Sequence, residues 1–376
     1  MKKLVLGLTA VAALSSASLA VARDTISVVG SSTVYPFSTV VAERFGKSTD
    51  FSAPKVESTG SGGGLKMFCQ GVGTDTPDVT NASRRIKASE FEMCQANGVT
   101  DIVEVKVGYD GIVLANAKSG DSIELSRKDI YMALAKLVPG ADGKLIENPN
   151  TLWSDVNPDL PAIKIEVLGP PPTSGTRDAF AELALEGGAR KVEDIAKLRK
   201  LNADQVEEIE ALVAKLGIEN AWDAAKAKKG AKAKGKDVVK IIGRSVREDG
   251  AYIEAGENDN LIINKLVANP DAFGIFGFSF LDQNSDMVQG AVIDGQAPTF
   301  DAIATGDYSV SRPLYFYVKK AHVGTVPGIQ EFAASFVSED AIGEYGYLID
   351  RGLIPLGEEE LAEFTNAVTE LTPMSM

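Results

Sequence analysis

Two hydrophobic rhythms alternate along the chain. A short β-branched run at 25–29 ends in Gly30-Ser31-Ser32-Thr33-Val34-Tyr35-Pro36, after which Phe37, Val40, Val41 and Phe45 recur at helical spacing. The succession then repeats. A weak strand signal closing at Lys55-Val56 leads into Ser58-Thr59-Gly60-Ser61-Gly62-Gly63-Gly64 and the helix formers 65–70. A short extended piece at Asp78-Val79-Thr80-Asn81-Ala82 meets Ser83-Arg84-Arg85 and a helical segment ending near Asn97-Gly98. The strand predicted at 163–168 cannot pass Pro170-Pro171-Pro172, and Thr173-Ser174-Gly175-Thr176-Arg177-Asp178 opens a helix behind it. Strand, polar turn and helix in repeated order predict an α/β fold.

The longest strand-like run is 103–115, interrupted by Gly108-Tyr109-Asp110-Gly111. Its continuous apolar half, Ile112-Val113-Leu114, predicts a buried central strand that crosses from one lobe to another. A helix is expected at 126–137, then a loop-rich stretch at 139–161 with Leu152-Trp153 packed over it. From 180 to 240 the pattern is helical throughout and reads as an inserted arm. Its lysine-rich block at 226–240 reads as a solvated face, ahead of a membrane or partner patch. Asn258-Asp259-Asn260 caps a helix at 261–267, and 273–280 is expected to be a strand with the return crossing just after it. Strands at 288–293 and 314–318 and helices at 329–337, 340–348 and 358–371 complete the chain.

One Ser/Thr cap before a helix is ordinary. Four strand-to-helix junctions carrying hydroxyls, glycines or arginines are a different matter. In open α/β sheets ligands lie beyond the carboxyl ends of the strands, where helix N-termini offer unpaired N–H groups and partial positive charge. Such turns can surround one small tetrahedral oxyanion, with Arg177 adding charge-assisted bonds.

The first 22 residues change the picture of where this happens. Met1-Lys2-Lys3, the apolar run 4–14 and Ala20-Val21-Ala22 have the three regions of a secretory signal peptide, with cleavage expected after Ala22. Its removal deepens a formal charge of −14 by two, which argues against nucleic acid as a partner. Cys69 and Cys94, a pair in an oxidising compartment, favour a disulfide over two buried thiols. The single histidine, His322, follows Lys319-Lys320 in an expected surface loop, so a Ser-His-Asp triad or a histidine metal site has little to work with. Gly60-Ser61-Gly62-Gly63-Gly64-Leu65-Lys66 lacks the Gly-Lys-Ser/Thr ending of a nucleotide phosphate loop and fails the dinucleotide spacing at Leu65.

In order along the chain, Gly30-Ser31-Ser32-Thr33-Val34-Tyr35-Pro36, Gly60-Ser61-Gly62-Gly63, Ala82-Ser83-Arg84, Ser174-Gly175-Thr176-Arg177 and Ser311-Arg312-Pro313-Leu314-Tyr315 resemble the phosphate-binding protein family of ABC phosphate transporters. The resemblance implies a two-lobed type II periplasmic binding fold with two crossing strands. Lobe I would comprise 23–112 and 282–376, and lobe II 113–281 with a helical insertion at about 186–240. It implies no cofactor and no catalysis. The expected partners are inorganic phosphate and the membrane permease subunits of an ABC transporter, with a monomer acting in the periplasm. The phosphate ligands carried over are Ser32, Thr33, Val34, Ser61, Arg84, Ser174, Gly175, Thr176 and Arg177. Arg84 stands where many members have a proton-accepting aspartate, and Pro170 stands where they have an arginine. Asp110 and Asp259 are then the candidates for the proton acceptor. The rival readings are another oxyanion (sulfate, molybdate, phosphonate or arsenate), a secreted phosphatase using Ser61 or Ser174 as nucleophile, and an adhesion or scaffold role for the arm.

Overall fold

The structure, a computed structural model, describes residues 23–256, 259–343 and 345–376. The expected signal peptide and Asn258 lie outside the described residues. Nine strands form the main sheet: β1 Ser27–Gly30, β2 Lys55–Ser58, β3 Val79–Ala82, β4 Ile102–Ala117, β5 Val167–Gly169, β6 Tyr252–Glu254, β7 Phe273–Gly277, β8 Val288–Gly290 and β9 Ser311–Lys319. The order is β2-β1-β3-β9-β4-β7-β5-β6, with β8 also paired to β4.

β4 organises the molecule. Its first part, Ile102 to Gly111, pairs antiparallel with β9, and its second part, Ile112 to Ala117, pairs with β7 and β8. The glycine-containing stretch within it does not break the strand. It is absorbed as a register shift opposite Leu314 and Tyr315, with Gly108 at φ +145, where an added Cβ would meet the Ile354 carbonyl oxygen at 2.5 Å. One strand therefore belongs to two lobes. On one side β1 pairs in parallel with both β2 and β3, through the helices Tyr35–Ser48 and Ser61–Phe68; on the other, β7, β5 and β6 run parallel.

The core follows from this pairing. Val113, Leu114 and Ala115 are fully buried, and Trp153 packs edge-on against Phe273, 5.3 Å between ring centroids. The arm packs in a second core: Ile195, Leu198, Ile209, Val213 and Trp222 close on Val238, Val239 and Ile242, together with Tyr131, Val138 and Leu145 from outside the arm. Cys69 and Cys94 form a disulfide that ties the helix ending at Phe68 to the helix Ala88–Ala96.

Several expectations are corrected. The strand at 163–168 shrinks to Val167–Gly169, with Lys164 bridged only to Leu152. The apolar run at 273–280 is strand only to Gly277 and then becomes the helix Phe278–Gln283, since continuous apolar residues satisfy a buried helix as well as a strand. The helix at 126–137 stops at Leu134, because Leu137–Pro139 forms a hairpin with Leu145–Glu147. The helix at 340–348 is only Glu339–Ile342, ended by extended Gly343 and followed by a 3-10 turn at Ile349–Arg351. The strands Val288–Gly290 and Val292–Ile293 pair with β4 beyond Ala115 and with Glu124–Leu125, so the return crossing lies after Ile293 rather than just after Phe280. His322 is not on the surface. It is 1% exposed, with Nδ1 2.6 Å from Asp78 Oδ1 and Nε2 3.0 Å from the Val72 carbonyl oxygen.

Candidate functional site

Where β4 passes between lobes, β9 lies beside it, and the pairing register sets Arg312 directly opposite Asp110. Arg312 is buried and Asp110 partly buried at the floor of the interlobe cleft. Arg312 donates from Nε to Asp110 Oδ2 at 3.2 Å, from Nη1 to Glu182 Oε2 at 3.2 Å and from Nη2 to Thr33 Oγ1 at 2.5 Å. Asp110 and Thr33 belong to the first lobe and Glu182 to the second, so one guanidinium ties the two together. Glu182 sits in the π-helical turn Ala181–Leu185 that continues the helix Gly175–Phe180, and it also meets Arg244 at 3.2 Å. Burial works to raise the Glu182 carboxyl, but Arg244 and Arg312 together hold it below its ordinary range.

Two cavities open onto this floor and share Thr33. The smaller, about 280 Å³, is lined by Thr33, Asp110, Gly175, Thr176, Asp259 and Gly277, among others. The larger, about 560 Å³, is lined on the first lobe by Ser32, Ser61 and Arg84 and on the second by Glu182, Lys240 and Arg244. Gly30 makes the first wall possible. At φ +132 it brings the chain so close to β3 that a Cβ would stand 2.2 Å from the Asn81 carbonyl oxygen, and the turn 31–34 folds over the end of β1. Ser31 Oγ, buried, accepts from the Thr33 and Val34 amides at 3.2 and 3.4 Å, long bonds that leave both donors weakly held.

Two carboxyls face the smaller cavity, and both are pushed upward. Burial pushes Asp110 up while Arg312 pulls it down, and the net direction is upward. Asp259 is 8% exposed, its one hydrogen bond within the described residues is a 3.5 Å contact from the Gly277 amide, and burial pushes it up to about 6.

A profile described as the PBP superfamily domain matches residues 15–340. The chain belongs to the PBP superfamily. Among curated PBP relatives, the phosphate-binding protein PstS of Staphylococcus saprophyticus is 26% identical over 320 residues, covering 83% of this chain and 75% of that protein. Protein SphX of Synechococcus elongatus is 27% identical over 312 residues, covering 80% and 71%. Among solved PBP structures, that of a possible phosphate binding protein from Planctomyces limnophilus aligns with a TM-score of 0.66 at 23% identity, over 92% of this chain and 98% of that one. PstS from Borrelia burgdorferi aligns with a TM-score of 0.52 at 13% identity, over 89% and 100%. These alignments establish the two-lobed type II periplasmic binding fold. Among the described residues of this PBP chain, no helix is long and apolar enough to cross a membrane.

The PBP fold gathers most of the residues singled out in the sequence. Thr33, Gly175 and Thr176 line one cavity; Ser32, Thr33, Ser61 and Arg84 line the other. Val34 is wholly buried behind Thr33. Ser61 Oγ accepts from the Ser83 amide at 3.1 Å, and Ser174 Oγ caps its helix by accepting from the Thr176 amide at 3.2 Å. The two arginines are differently placed. Arg84 gives both arms of its fork to Glu90, at 2.8 Å each, and meets the cavity only at its rim. Arg177 turns away, its guanidinium 4.1 Å above the Tyr252 ring, and lines neither cavity. Arg312, which no sequence argument had placed at the site, occupies the floor instead. The available signal was a charged residue opening an apolar strand in Ser311-Arg312-Pro313.

Proposed function

We propose that this chain captures inorganic phosphate in the interlobe cleft and delivers it to the permease of an ABC importer, as an exported periplasmic monomer without catalytic activity. The observation that carries the reading is Arg312, a buried guanidinium held among Asp110, Glu182 and Thr33 where hydroxyls and amides of both lobes converge. The names of its relatives, phosphate-binding protein PstS among them, support the choice of anion. A dehydrated oxyanion needs neutral and charge-assisted donors from all sides; Ser61 shares a cavity with that cation, Gly175 and Thr176 line the adjoining one, Thr33 lines both, and the Val34 amide lies behind Thr33. Ser32 and Ser174 complete the turns, Arg84 adds rim charge, and Arg177 braces the second lobe through Tyr252. Lobe I spans the first crossing to Gly111 and resumes after Ile293; lobe II lies between and carries the arm.

Asp259 gives the site its preference. A buried carboxyl with one long hydrogen bond among the described residues accepts the proton of monohydrogen phosphate, whereas fully ionised sulfate has none to offer and would be repelled. The phosphatase reading is disfavoured because Ser61 Oγ and Ser174 Oγ already accept backbone hydrogen bonds and the one histidine lies at the far end of the lobe, beside Asp78. Calorimetry on refolded, phosphate-free protein tests the proposal. Saturable one-to-one binding of phosphate, with sulfate at least about tenfold weaker, is expected. Equal or tighter sulfate binding would overturn the choice of anion, and release of phosphate from a chromogenic ester would overturn the non-enzymatic reading.

A further inference from the structure

The inserted arm reaches the cleft, and it does so with cations. Its last helix, Gly235–Gly243, buries Val238, Val239 and Ile242 against the rest of the arm. On another face Lys236, Lys240 and Arg244 recur at every fourth residue, one above the other. Lys240 and Arg244 line the larger cavity beside Glu182, opposite Ser61 and Arg84 of the first lobe. Arg244 is neutralised, with Nε 2.7 Å from Glu186 and its other arm on Glu182. Lys236 and Lys240 are exposed and make no ion pair among the described residues. The stripe continues backwards into a block with seven lysines against the one carboxylate of Asp237 between 226 and 240, in a chain of formal charge −14.

We propose that this face of the arm is an outer anion-receiving surface that feeds the cleft. The inference rests on the phosphate-binding reading above and adds a route of entry to it. A dianion approaching a strongly acidic protein is repelled at long range, but that field is screened over about 8 Å at physiological salt, so the charges met in the last few ångströms decide the encounter. Lys236 and Lys240 supply a positive path there, neither in direct ion-pair contact among the described residues though Lys240 acts on the Glu182 carboxylate, ending where Arg312 and the hydroxyls of the first lobe take over. Exposed ammonium groups on flexible four-carbon stems attract without fixing geometry, which suits a surface that must release the anion inward.

Rapid-mixing measurement of phosphate association on the full chain, with the paired change Lys236→Gln and Lys240→Gln, tests the proposal. In low salt the association rate constant is expected to fall roughly tenfold while the dissociation rate constant stays unchanged, and the difference from the unaltered protein should vanish at high ionic strength. The reversal Lys236→Glu with Lys240→Glu should slow association further. An unchanged association rate in low salt overturns the inference, as does a loss confined to the dissociation rate at every salt concentration, which would make Lys240 a direct ligand. Both outcomes leave phosphate binding by the unaltered chain intact. If the unaltered chain binds no phosphate, the functional reading falls and the route falls with it.

Discussion

The two ends of β3 and β9 hold buried charge in opposite ways. At the base, Asp78 receives Arg23, the Ser27 amide at 2.7 Å and His322 at 2.6 Å, while Lys319 beside it donates to the Gly71 carbonyl at 2.7 Å and to Thr76 Oγ1 at 2.6 Å. The Asp78 carboxylate is met by three donors and the Lys319 ammonium by two neutral oxygens, with only Arg23 Nε left unbonded among the groups named, and burial still pushes the Lys319 ammonium down to about 8. At the cleft end, Arg312 has partners but lines the larger cavity, Asp259 faces the smaller one with one long bond among the described residues, and the Thr33 and Val34 amides are weakly held. A closed polar cluster holds the fold; an open one retains capacity for a guest.

That contrast predicts which property each substitution moves. Asp78→Ala strands Arg23, His322 and Lys319 at the base, and should cost about 3 to 5 kcal/mol in urea unfolding while leaving phosphate affinity of the folded protein nearly unchanged. A large affinity loss with intact stability would erase the division between the two ends. Arg312→Ala acts in the other sense: phosphate binding should weaken by about 2 to 4 kcal/mol by calorimetry, because a desolvated dianion loses its buried charge-assisted donor. An unchanged dissociation constant would remove Arg312 from the site.

Asp259 sharpens the comparison through pH. As proton acceptor it must be ionised, and burial has moved it up to about 6, so affinity expressed per monohydrogen phosphate dianion, which removes the ligand's own titration near neutral pH, should fall as pH drops through 6 and be nearly steady above it. In Asp259→Asn that step should disappear and discrimination against sulfate should narrow. A step that persists in the variant assigns the titration to another group. The smallest effect is expected at Arg84: with its fork committed to Glu90 and its side chain about one-third exposed, Arg84→Ala should cost only about 1 kcal/mol of affinity. A loss equal to that of Arg312→Ala would mean that Arg84 swings inward on binding.

What the sequence revealed and what it concealed divide along the same line. The four hydroxyl- and glycine-rich junctions were legible because their chemistry is local: proline stops a strand, a small residue frees the backbone, and a helix follows. All four line the two cavities, through Thr33, Ser61, Ser83-Arg84 and Gly175-Thr176. The arm was legible for the same reason, as helical periodicity without strand signals. Arg312 was not, because its partner Thr33 lies 279 positions away and only the β4–β9 register brings Asp110 beside it. His322 looked like a surface residue next to two lysines, and it is buried because Asp78, 244 positions earlier, waits for it. Arg84 and Arg177 had the expected charge, yet Glu90 and Tyr252 claim them, a competition between neighbours that residue type alone does not disclose. The return crossing was placed too early because β8 adds a further strand to β4 before the chain leaves the second lobe.

A crystal structure of the protein grown with phosphate is the most direct measurement. The account predicts one phosphate on the cleft floor, touched by Thr33 and Arg312 from the first lobe and by the Gly175 and Thr176 amides from the second. Phosphate held by one lobe alone, or found away from Arg312, would contradict it.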